Sequence, residues 1–263
     1  MKITSLASGS SANAYLIQLP SAAILVDAGL TATSLARELH GSGVDPARIS
    51  AIFLTHEHSD HVAGAGIFAR RFGCRVFGPA STLQPKTFGG CQIAPLAEGD
   101  TVAVDGLTLR PFELPHDAKQ TFGYAVDHDG SRAIFATDCG HIPPSLLPDL
   151  AAADLLVIDS NHDLEMLRIG PYPARLKGRI ASQTGHLSNE QAARTILASC
   201  SGRQRTVWLA HLSAKNNTQR LARTTATEVL RQAGVVSVKI EVAGRDRRSV
   251  SWDSTTPTQA RLF

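Results

Sequence analysis

Apolar positions along this chain fall into short runs separated by polar turns. Most runs have strand length, alternating or continuous: Lys2–Ala7, Ala14–Leu19, Ala23–Asp27, Ser50–Leu54 and Arg75–Phe77. Brief strands are predicted at Gln92–Ala94 and Thr101–Val104, and fuller ones at Leu107–Glu113, Thr121–Asp127 and Arg132–Thr137. His128-Asp129-Gly130-Ser131 joins the last two; Asp-Gly at that place signals a hairpin, with His128 expected in solvent. Asp154–Asp159 and Thr206–Ala210 read as buried strands, and Val235–Val242 and Ser249–Trp252 close the series. Helical patterning covers Thr31 or Thr33 to His40, Val62–Phe72, Leu164–Ile169, Tyr172–Ile180, Asn189–Ala198 and Asn217–Gln232. Ser8–Asn13 reads as a small polar loop, Gly244–Arg248 as a basic turn and Ser254–Phe263 as a frayed tail.

The strands form two clusters, each accompanied by helices. That order suggests an α/β chain of two sheets packed face to face with helices outside, a four-layer αββα sandwich spanning 1–263 as one domain. The composition, 43% hydrophobic and 19% charged over 263 residues, is globular. No apolar run approaches the roughly 18 residues of a membrane span, and Thr4, Ser5 and Ser8–Ser11 interrupt any secretory leader, so no membrane partner is expected. Cys74, Cys91, Cys139 and Cys200 stand far apart with no C-x-x-C, which argues against a disulfide scaffold or zinc knuckle. A reducing, cytoplasmic setting is the expectation.

Charge alters the picture. Residues 1–167 hold 10 Lys+Arg and 18 Asp+Glu, whereas residues 168–263 hold 16 and 5, so a net +3 conceals halves of −8 and +11. An acidic part suited to metals and a basic part suited to a polyanion is one reading; a solvated basic surface is the other.

The densest chemistry is Thr55-His56-Glu57-His58-Ser59-Asp60-His61, directly after a strand and before a helix. Imidazoles at i and i+2 can leave one side of an extended turn while Asp60 and His61 face another, so one loop can feed two metal ions. A zinc ion wants about four ligands, which the loop cannot supply alone. His116, Asp138 and His211 each follow a predicted strand, where a sheet delivers side chains to one edge. Asp138 has two oxygens and can bridge two ions.

These motifs resemble the metallo-β-lactamase-fold hydrolases over nearly the whole chain. Leu6–Asn13, Asp159-Ser160-Asn161-His162-Asp163, Gly185-His186-Leu187-Ser188-Asn189 and Ala210-His211-Leu212-Ser213 with Asn216-Asn217 are similar to the YycJ/WalJ-type subgroup, a relative of ribonuclease Z. The resemblance implies the αββα sandwich, two divalent ions and a phosphodiester substrate, DNA before RNA. It assigns His56, His58 and His116 to one metal and Asp60, His61 and His211 to the other, with Asp138 and a hydroxide bridging. All-nitrogen and oxygen ligation suits zinc or manganese.

By the same resemblance, His186 with Asp159 is the candidate acid for the leaving oxygen, and Asp60 can orient the nucleophile as well as ligate. His186 also reads as a helix-capping residue and Asp159 as a surface carboxylate. Arg168, Arg175, Lys177, Arg179 and Arg194 surround His186 in sequence and are candidates for phosphate contacts. Ser10, Asn13, Ser213, Asn216 and Asn217 either line the site or stabilise turns. The alternative activity is hydrolysis of a small ester, thioester or lactam on the same metals, which would require neither the basic half nor the His186/Asp159 pair.

Overall fold

The computed structural model describes residues 1–256. In chain order, β1 (Lys2–Gly9), β2 (Ala12–Gln18), β3 (Ala23–Val26), β4 (Ile49–Phe53), β5 (Arg75–Pro79) and β6 (Ile93–Leu96) build a first sheet. A second sheet comprises β7 (Val102–Val104), β8 (Leu107–Glu113), β9 (Phe122–His128), β10 (Ser131–Ala136), β11 (Leu155–Asp159), β12 (Arg205–Ala210) and β13 (Val238–Val242). The chain then returns to the first sheet, where β14 (Ser251–Asp253) pairs antiparallel with β1.

Alternation along the strands sorts their side chains into separate cores. Leu155 and Val157 of β11 join Tyr15, Phe53, Phe135 and Trp208 between the sheets. Leu156 and Ile158, pointing the other way, pack with Ala192, Ile196, Ala222 and Leu230 of the helices Asn189–Ala198 and Gln219–Gln232. On the opposite outer face Leu25 and Ile52 meet Leu35, Leu39 and Phe68. Each such side chain contributes roughly 1.5–3 kcal/mol on leaving water, and both sheets are thereby covered on two faces. The expected αββα order is present.

The elements differ from the sequence reading where backbone contacts intervene. The loop expected at Ser8–Asn13 is a tight hairpin, because Ser8 pairs with Asn13 and Gly9 with Ala12. The helix expected over Val62–Phe72 is two pieces, Ser59–Val62 and Ala65–Phe72. Gly64 between them donates its N–H to the Ala28 carbonyl at 2.9 Å, and a Cβ there would meet the Leu30 oxygen at 2.1 Å. Gln219–Gln232 starts later than expected because Thr218 caps it, accepting from Leu221 N at 3.1 Å. His128 is half-buried, with Nδ1 2.9 Å from the Gly106 carbonyl, where the hairpin had suggested solvent. Of the expected frayed tail, Ser254 is tied to Met1 by its backbone at 2.9 Å, and residues 257–263 lie outside the described ones. No helix among the described residues is long and apolar enough to cross a membrane.

β8 and β10–β12 run in one direction, so their carboxyl ends deliver His116, Asp138, Asp159 and His211 to a single edge. β3 and β4 bring Asp27 and the His56 loop to the same place.

Candidate metal centre

Donor atoms of His56, His58 and His116 lie within 4.8 Å of one another, as do those of Asp60, His61 and His211. Asp138 sits between the groups: Oδ2 is 3.4 Å from His61 Nε2, and Oδ1 is 3.4 Å from His211 Nε2 and 3.9 Å from His116 Nε2. His56 Nε2, His116 Nε2 and Asp138 Oδ2 are buried without a hydrogen-bond partner among the described residues. Orphaned nitrogen and oxygen atoms converging in this way fit divalent cations, since leaving them bare is costly.

Supporting contacts select which nitrogen each ring presents. Thr55 Oγ1 donates to Asp27 and accepts from His56 Nδ1 at 2.9 Å, leaving His56 Nε2 for the centre. His61 Nδ1 donates to Asp27 Oδ2 at 2.7 Å, and His116 Nδ1 donates to the Gly185 carbonyl at 3.1 Å. Asp27 was not singled out from the sequence; its only local signal is a carboxylate ending an apolar strand. Asn13, left between two roles by the sequence, performs both. Its amide bonds Gly9 in the hairpin and places Nδ2 3.0 Å from His61 Nε2 and 3.3 Å from Asp60 Oδ2.

Electrostatics concentrate here. Burial opposes charge on His211, but Asp138 and the bond to Asp60 bring its pKa up to about 9. Burial likewise opposes ionisation of Asp60, yet the His211 and His61 bonds hold its carboxyl well below the usual range. Asp27, Asp138 and His211 have φ of 59°, 58° and 56°, the left-handed region that side chains seldom adopt. Such backbone persists only where surrounding contacts hold it, and here it turns three strand ends into the site.

Residues 22–212 match the Beta-lactamase superfamily domain. Exodeoxyribonuclease WalJ of Streptococcus pneumoniae serotype 2 is 34% identical over 264 residues, 97% of this chain and 96% of that protein. Exodeoxyribonuclease YycJ of Bacillus anthracis is 32% identical over 234 residues, 87% and 89% of the two chains. The chain belongs to the metallo-β-lactamase superfamily, in the WalJ/YycJ group. The metallo-β-lactamase fold protein YhfI from Bacillus subtilis superposes with a TM-score of 0.71 at 20% identity, covering 95% of this chain and 98% of its own. Membership makes this chain a metal-dependent hydrolase.

The remaining sequence-selected residues of this metallo-β-lactamase chain separate by position. His186 Nδ1 lies 2.9 Å from Asp159 Oδ2 and 3.9 Å from Asp138 Oδ1, so the pair adjoins the metal-ligand groups. Asn217 is buried, with its amide bonded to the Ser160 carbonyl and Asn189, and it stabilises the loop after β11. Ser213 is also buried and accepts from the Asn216 N–H at 3.2 Å, a turn contact. Asn216 is buried with neither side-chain polar atom partnered among the described residues. Arg168 is paired with Glu165 at 2.6 Å, Arg179 with Asp117, and Lys177 Nζ with the Arg168 carbonyl at 2.7 Å. Arg175 and Arg194 are exposed. Cys139 is buried beside Asp138, and burial raises its thiol pKa well above the ordinary value, which suits packing better than ligation.

Proposed function

We propose that this protein is a dinuclear metal-dependent phosphodiesterase that hydrolyses DNA, with zinc or manganese held by His56, His58 and His116 on one side and Asp60, His61 and His211 on the other, Asp138 between them. Two such ions, when bound, acidify a water toward neutral pH and offset the charge on a phosphate. What the chain's own residues add is the proton. The His186–Asp159 contact of 2.9 Å carries this reading. Asp159 is fully buried while the His186 side chain is 17% exposed, so the carboxylate aims a ring that solvent and substrate can reach. Nδ1 is engaged by Asp159, which leaves Nε2 to give a proton to the departing oxygen. Asn13 holds Asp60 in orientation beside His61.

Two relatives named exodeoxyribonucleases, each matched over most of its length, support DNA as the substrate. The +11 charge of residues 168–263 supports a polyanion over a small neutral ester. The test is incubation of the zinc- or manganese-loaded protein with single- and double-stranded DNA. Release of nucleotides or fragments supports the assignment. Failure on both DNAs with either metal, alongside hydrolysis of a thioester or lactam, overturns it.

A further inference from the structure

Of the five cations nearest His186 in sequence, two are paired with carboxylates, Lys177 bonds a carbonyl, and Arg175 and Arg194 are exposed. Arg168 is held by Glu165 and Arg179 by Asp117. A different basic element reaches the metal edge. The turn after β13 carries Arg245, Arg247 and Arg248, and the Ser8 N–H bonds both the Gly244 and Arg245 carbonyls, at 2.9 and 3.2 Å. Ser8 Oγ in turn accepts from the His211 N–H at 2.8 Å, and Arg245 donates to the Ser213 carbonyl at 3.2 Å. Two hydrogen bonds therefore separate this turn from a metal-site histidine.

From there the turn runs along β1, with the Ser249 N–H bonded to the Ser5 carbonyl at 3.1 Å. It ends over a cleft of about 340 Å³ lined by Lys2, Thr4, Ser42, Arg248, Ser249 and Ser251. Besides Gly41, the lining is two cations and four hydroxyls; Ser42 Oγ is committed to the Glu38 carbonyl at 2.8 Å, so the cations are the groups suited to phosphate oxygens. Arg248 bonds Ser42 Oγ at 3.2 Å and Arg245 bonds a carbonyl, so both give their hydrogen bonds to neutral acceptors. Arg247 and Lys215 are exposed. Two carboxylates lie close: Asp246, which accepts from Ser11 Oγ at 3.1 Å, and Asp253, opposite Lys2 in the β1–β14 register. Cations still outnumber them.

We propose that the turn from Gly244 to Ser249 and the cleft beyond it form the track that holds the sugar-phosphate backbone of the DNA strand leading from the metal centre. This rests on the DNA-hydrolase reading above and specifies which face carries the strand. Between Ser8 and Thr4, β1 advances about 13 Å at ~3.3 Å per residue. A track of that length can hold more than one phosphate. Contacts to phosphates alone give a track without base preference.

The test compares the metal-loaded wild type with the double variant Arg247→Gln/Arg248→Gln on a single-stranded oligonucleotide and on bis(p-nitrophenyl) phosphate, a diester too small to reach the track. The expected result is a KM for the oligonucleotide raised on the order of tenfold, with a slope of log affinity against log salt reduced by about 1.4, ~0.7 per lost cation. Hydrolysis of the small diester stays at the wild-type rate, which also reports an intact fold and centre. An unchanged KM and salt slope in that variant, with a raised KM in Arg175→Gln/Arg194→Gln, overturns the track while leaving the nuclease reading standing. A wild type that cleaves the small diester and no DNA overturns both. If the double variant loses the small diester as well, Arg247→Gln alone is decisive: this exposed position must then reproduce the KM shift, or the track is wrong.

Discussion

Asp27 Oδ2 lies 2.7 Å from His61 Nδ1, and both side chains are fully buried. The same carboxylate accepts from the Thr55 N–H at 2.9 Å, so it anchors the start of the histidine loop and the ring near its end. With Nδ1–H given to Asp27, the lone pair is on Nε2, which faces the centre with Asn13 Nδ2 3.0 Å away. Asp27→Asn replaces an acceptor with a group that can present N–H to Nδ1 and favours the other tautomer. Metal affinity at the Asp60, His61 and His211 group is expected to fall about 10–100-fold. Chelator competition monitored by elemental analysis measures this, and unaltered retention of both ions refutes the anchoring role.

His186→Ala removes the proposed proton donor while leaving both proposed ligand triads intact. Turnover on DNA is expected to drop by about a hundredfold to ten-thousandfold while metal content stays at the wild-type level. Asp159→Asn should lose activity in the same direction, because its contact of 2.9 Å to His186 Nδ1 orients the ring. Loss of a metal ion in His186→Ala would make the residue a ligand and reject its role as acid.

Gly29 sits beneath the metal loop. A Cβ at this position would meet the Asp60 carbonyl oxygen at 1.6 Å and Asn13 N at 2.9 Å. Neither is a flexible side-chain end, so Gly29→Ala must displace the backbone of Asp60, a proposed metal ligand. A loss of more than about 2 kcal/mol in unfolding free energy is expected, with weakened metal binding. Denaturant titration of the metal-free and metal-loaded protein checks both, and a neutral effect rules out the close approach.

His162 is fully buried, and neither ring nitrogen has a hydrogen-bond partner among the described residues. Burial pushes its pKa down to about 4 from an ordinary 6.5. The unfolded chain therefore binds a proton before the folded one does. Its contribution to stability is complete above pH 6.5 and is lost progressively as the pH falls toward 4, by about 3 kcal/mol on linkage. His162→Leu should flatten the decline of unfolding free energy between pH 6.5 and 4 relative to wild type. Parallel pH profiles for the two proteins dispose of the idea.

Sequence alone carried the short-range part of this molecule. His56, His58, Asp60 and His61 are legible because six residues of one loop hold them, and strand ends mark His116, Asp138 and His211 because apolar runs stop there. The layered architecture is legible from two clusters of strand-length runs, each with its helices, and from metal motifs that resemble the family. Tertiary structure decided what depends on approach between distant segments. Asp27 meets His61 only when β3 and the loop after β4 are packed together, and nothing around either residue encodes the other. Gly64 splits a run with unbroken helical patterning because the Leu30 backbone passes against it. Asn217 turns inward to Ser160 and Asn189, a choice between lining the site and stabilising a turn that its polar loop left open. The basic half divides the same way: its charge is countable in the chain, but ion pairs with Glu165 and Asp117 neutralise one part, and a turn folded along β1 brings another to the metal edge. Patterning specifies which residues are buried; partner identity and backbone clearance arise only once separate strands share an edge.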